Sequence, residues 1–166
     1  MEWLDRCYEA FSKYHHETQA ARKGAESAYD NLWTQIVEVV RAANEKGMQL
    51  TTDGFPPSRV IAMSLRREGK RELKLTLDRE NLLISAESDA AVLTLQIGVD
   101  DTQVVCLCCD RKILPPERAA QKIMESFLFG GKSPYAVPES LGAQAQQAMR
   151  NWGEAQKKDP RLQVPY

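Results

Sequence analysis

Asn44-Glu45-Lys46-Gly47-Met48-Gln49-Leu50-Thr51-Thr52-Asp53-Gly54-Phe55-Pro56-Pro57 is the stretch on which the architecture turns. Upstream, from Glu2 to Lys46, the chain is helix-periodic and free of proline; downstream come short runs that alternate as strands do. Asn44 to Gly47 reads as a helix stop, because glycine takes the positive φ that closes a last turn without a Cβ penalty. Thr52 to Pro57 reads as a turn-rich connection, since its two prolines remove donors and push the residues before them out of helical geometry. One change of apolar period, from 3.6 to 2, predicts an α+β chain with its helical part first and its sheet second.

Towards the N-terminus, Leu4, Cys7, Phe11, Tyr14, Ala21, Ala25, Ala28, Leu32, Val39 and Ala42 recur as a heptad-like stripe, interrupted at Thr18 and Gln35. A second row, Tyr8, Tyr29, Trp33, Ile36, Val40 and Ala43, widens it over the last turns, as a helix lying on a core requires. Gly24 leaves two alternatives: one helix of about 65 Å at 1.5 Å per residue, or a hairpin of two helices joined at Lys23-Gly24. The small residues Ala20, Ala21, Ala25 and Ala28 predict a close neighbour at the middle.

Towards the C-terminus, Ile61, Met63 and Leu65 alternate with Ala62, Ser64 and Arg66, and Leu73, Leu75 and Leu77 alternate with Lys74 and Thr76. Leu82 to Ser85, Leu93 to Val99 and Gln103 to Cys109 add three strands, and short connections make the five an antiparallel meander with one dry face. Leu114-Pro115-Pro116-Glu117 opens a helix, with Ala120, Ile123, Met124, Phe127 and Leu128 as its apolar face and Gly130-Gly131 as its stop. The expected layout is one domain over 1–131, helical over 1–47, sheet over 58–113, and helix over 115–129 docked on the sheet. A polar C-terminal arm, 132–166, follows, partly helical or loosely ordered, with only Leu141, Ala145, Met149 and Trp152 as an apolar stripe.

Composition excludes more than it assigns. The 166 residues suffice for one ordinary core, and 22 basic against 23 acidic side chains steer the chain to neither nucleic acid nor acidic lipid. No apolar run approaches the roughly 18 residues that cross a bilayer, and the opening Met1-Glu2-Trp3-Leu4-Asp5 is acidic where a signal peptide is basic. Cys7, Cys106, Cys108 and Cys109 lack disulfide-like spacing and read as thiols of a reducing, cytoplasmic protein.

Reactive constellations are sparse. Gly131-Lys132-Ser133 resembles the end of a phosphate loop, but Ser126 stands where the pattern needs glycine, and a helix precedes it where a strand should. Cys106 and Cys108 share one strand face with Cys109 on the other, a spacing that does not readily embrace tetrahedral zinc, and buried cysteine is common, so no metal or cofactor is assigned. His15 and His16 point about 100° apart on a helix and do not chelate together. Asp78, Glu80, Asp100 and Asp101 sit at strand ends, where acids ordinarily cap turns.

Two surfaces stand out. Arg66, Arg67, Lys70 and Arg71 gather positive charge on one hairpin, an anion patch or a charged edge that deters aggregation. Trp3, Tyr8, Phe11 and Tyr14 line the first helical turns, where they either cover the sheet or the last helix, or anchor an interface. The expectation is a non-enzymatic module that self-associates or binds another protein through its N-terminal helix. The alternative is a binder of hydrophobic small molecules with a cavity between sheet and helix.

Overall fold

Gly24 does not break the helix. The computed structural model describes residues 1–65, 69–89 and 91–130, and in it α1 runs unbroken from Glu2 to Glu45. A Cβ built on Gly24 would lie 2.5 Å from Val105 Cγ2, so glycine is present because a strand crosses the helix there. The hairpin alternative is thereby settled in favour of one rod of 44 residues, about 66 Å long.

Seven strands follow, not five: β1 (Leu50–Phe55), β2 (Ser58–Leu65), β3 (Gly69–Asp78), β4 (Leu83–Ser88), β5 (Val92–Val99), β6 (Val105–Cys109) and β7 (Lys112–Leu114). They form one antiparallel sheet in sequence order, so the meander holds while the count is corrected. The connection expected over 52–57 is mostly strand: Leu50 pairs with Met63 and Phe55 with Ser58, and only Pro56 and Pro57 form the turn. β1 escapes a periodicity reading because Leu50 is its only buried residue. β7 escapes it because it has three residues, none of them buried.

Strand alternation puts Ile61, Met63, Leu73, Leu75, Leu77, Ile84, Ala86, Leu95, Ile97, Leu107 and Cys109 into one core. Across from them α1 buries Ala21, Ala25, Tyr29, Leu32, Ile36, Val40 and Ala43. The last helix, α2 (Pro116–Phe129), starts on Pro116 with Pro115 as its cap and stops at Gly130 in the left-handed conformation at φ 60°. Ala119, Ala120, Ile123, Met124 and Phe127 are its buried face. That face packs against α1 and also reaches the sheet, where Arg71 lies 5.6 Å from the centre of the Phe127 ring and Lys122 Nζ 3.5 Å from the Cys109 sulfur.

Polar contacts pin α1 over the sheet. Tyr29 Oη donates 2.8 Å to the Leu75 carbonyl, and Arg59 spans the Asp30 carboxylate at 3.1 Å and the rings of Tyr29 and Trp33 at 5.1 and 5.2 Å. The buried Arg59 Nη1 has no hydrogen-bond partner, and the two aromatic faces compensate the charge instead. At the helix end Asn44 accepts from Leu50 N–H at 2.8 Å and donates to Leu50 O at 3.0 Å, setting the start of β1.

Candidate interaction surface

A sheet of seven strands spaced about 4.8 Å apart is about 30 Å wide, and its longest strand is about 33 Å, so neither direction covers a 66 Å helix. α1 must overhang, and the overhang is its N-terminal end. Burial begins at Ala21, and Trp3, Tyr8, Phe11 and Tyr14 are 66–70% exposed, with Leu4 at 44%.

The overhang carries on the face that packs against the sheet farther along. At about 100° per residue, Leu4, Cys7, Phe11 and Tyr14 fall within about 80° of one another and in line with Ala21, Ala25 and Leu32. The charges of residues 2–16, namely Glu2, Asp5, Arg6, Glu9 and Lys13, occupy an arc of about 100° on the opposite side. The ion pairs described for this segment stay within the helix, Arg6 with Glu2 at 3.3 Å and Lys13 with Glu17 at 3.9 Å. Phe11 stacks on His15 with ring centroids 6.3 Å apart. The face therefore presents rings and a thiol, with its charges turned away. Where α1 leaves the sheet, a cleft of about 360 Å³ opens between Tyr14, Thr18 and Ala21 on one side and Leu82, Gln96 and Cys108 on the other.

The other sequence candidates are drawn apart or committed elsewhere. Arg66 and Arg67 lie outside the described residues. Lys70 is exposed, whereas Arg71 meets Asp89 at 3.5 Å and lies 5.6 Å from the centre of the Phe127 ring, which makes it part of the packing between β3 and α2. Asp78 accepts from Asn81 Nδ2 at 2.8 Å and from its N–H at 3.1 Å. Asp100 accepts from Thr102 Oγ1 at 2.7 Å and from the amides of Thr102 and Val104 at 2.9 Å. These bonds, the side-chain ones first, hold both carboxyls below the usual carboxylate range. Both carboxylates cap turns. The Gly131-Lys132-Ser133 stretch lies outside the described residues.

Among the described residues no group of three or more His, Cys, Asp or Glu side chains converges as a metal site, and no helix is long and apolar enough to cross a membrane. Between helices and sheet, Tyr29, Leu32, Ile36, Leu75, Ile84, Leu95 and Phe127 are all fully buried. Compared with known proteins, the chain matches no family model, no curated protein and no solved structure.

Proposed function

We propose that the protein is a non-enzymatic self-association module whose working surface is the overhanging face of α1. The observation that carries this reading is the continuity of that face: the same apolar stripe that seals the core runs on past the sheet, rich in aromatic residues and free of charge. Exposed apolar surface of this kind, rimmed by charge, marks a docking site.

The occupant that fits is a second copy. In heptad terms Leu4 and Phe11 take one seam position and Cys7 and Tyr14 the other. Turned antiparallel about Glu9, the segment places Leu4 opposite Tyr14 and Cys7 opposite Phe11, so the surface complements itself, as a two-fold interface requires. Antiparallel pairing also sends the two sheets to opposite ends, so that they do not compete for the same space. A reducing, cytoplasmic setting suits the free thiols. A cavity for a hydrophobic ligand draws less support, because large apolar side chains such as Tyr29, Ile36, Leu95 and Phe127 are fully buried between helices and sheet.

Sedimentation equilibrium of the full chain tests the reading. A dimer is expected that Tyr8→Glu with Phe11→Glu dissociates, with no loss of thermal stability at low concentration, since both side chains are solvated in the single chain. A wild-type chain that stays monomeric up to high concentration overturns it.

A further inference from the structure

Cys106 and Cys108 stand on the face of β6 opposite the buried Leu107 and Cys109, and both are only partly buried. Their sulfurs are 3.9 Å apart. That spacing matters because two sulfurs bound in line to one soft ion at about 2.2 Å lie about 4.4 Å apart, only about 0.5 Å more than the pair shows. Strand alternation therefore brings the pair close to a metal-binding distance, which a small opening of the two side chains reaches and which the i, i+2 spacing alone did not suggest.

The surroundings leave room. Gly98 is the partner of Cys106 across the ladder and contributes no side chain; a Cβ placed there would sit 3.8 Å from Cys108 Sγ. The side chains of Cys106 and Cys108 are both partly exposed, which leaves an ion in solution a route to the sulfurs. Cys109 belongs to the other face, where Lys122 Nζ lies 3.5 Å from its sulfur.

We propose that Cys106 and Cys108 form a two-thiolate site for a soft, low-coordinate ion, the cuprous ion. The choice follows from what the site lacks as much as from what it holds. Zinc closes a structural site with four ligands, and among the described residues no third His, Cys, Asp or Glu joins the pair. Cuprous ion favours sulfur and is satisfied by two such donors. On binding, each thiol gives up its proton and each sulfur donates an electron pair to the metal, with no change of oxidation state.

Burial, and then the neighbouring Cys108 thiol, push the Cys106 thiol up to about 11, and the Asp100 charge acts in the same direction. A cation between the sulfurs removes the repulsion of two adjacent thiolates, and affinity rises with pH as the protons it must displace are held less tightly.

The test is an anaerobic competition in which the full-length protein takes cuprous ion from bicinchoninate, followed by the fading of the chelate colour. One ion per chain is expected, more tightly held at pH 8 than at pH 6. Cys106→Ser and Cys108→Ser should each abolish uptake while Cys7→Ser and Cys109→Ser keep it; circular dichroism confirms that the variants fold. Failure of the wild type to take the ion overturns the proposal, as does uptake by the Cys106→Ser/Cys108→Ser double variant equal to that of wild type. Zinc bound as tightly at the same sulfurs overturns the choice of a two-coordinate ion.

Discussion

Single residues decide where the rod sits on the sheet. Tyr29 is fully buried, and its hydroxyl holds the Leu75 carbonyl at 2.8 Å. Burial pushes that hydroxyl up to about 12 while the Arg59 charge works against the rise. The folded state thus keeps a proton that the unfolded chain releases near pH 10. Stability is fully present below about pH 10 and falls as the pH climbs towards 12. Tyr29→Phe should cost about 1 kcal/mol at neutral pH through the lost bond and flatten this alkaline decline, which urea midpoints measured between pH 8 and 11.5 will show. Gly24 makes the opposite kind of contribution, through the side chain it lacks. Alanine there gains helix propensity worth about 1 kcal/mol but drives a methyl into Val105, whose β-branched side chain cannot swing aside. Overpacking of this sort typically costs about 1–3 kcal/mol. Gly24→Ala should therefore destabilise alone and be neutral or stabilising with Val105→Ala, a coupling that a double-mutant cycle in urea measures.

At the scale of elements, α1 is two helices in all but covalent continuity: residues 21–43 held by the core, and residues 2–16 which, among the described residues, bury no side chain in it and are joined by ion pairs within the helix. Isolated helices of about 15 residues are marginal in water, so the overhang should fray in the single chain. Hydrogen exchange checks this: amides of residues 5–16 should exchange far faster than those of 25–40 in dilute protein and gain protection as concentration rises. Equal protection of both halves at all concentrations would count against a free N-terminal face. The stripe itself was legible in the sequence, because a run of heptad spacing is a property of one helix. Its exposure was not legible, because that depends on the ratio of helix length to sheet width and hence on whether Gly24 ends the helix. β2 to β5 were readable from alternation, and β6 in most of its length. β1 and β7 were not, since edge strands bury too little for the pattern to register: Leu50 is the one buried residue between them. The same limit hid the Cys106 and Cys108 geometry, which needs the pleat of β6 and the missing side chain at Gly98 to be seen.

At the scale of the whole molecule, one helical layer of two members closes one sheet face, and the question is whether α2 is an accessory or part of that closure. Phe127 answers for closure: its ring is fully buried, Arg71 of β3 lies 5.6 Å from its centre, and it shares one core with Tyr29, Leu32 and Ile36 of α1. Removing it opens a void between the two helices and the sheet, and a Phe-to-Ala change at such a site costs about 3–5 kcal/mol. Because a domain of this size unfolds as one unit, the loss should appear as a single transition shifted to lower urea, with the signals of the helices and the sheet moving together. Were α2 an accessory, Phe127→Ala would melt residues 116–129 alone and leave the sheet midpoint where it was. Site-resolved exchange on β3 and β4 separates the two outcomes, and lowered protection at Leu75 and Ile84, far along the chain from Phe127, is the expected result.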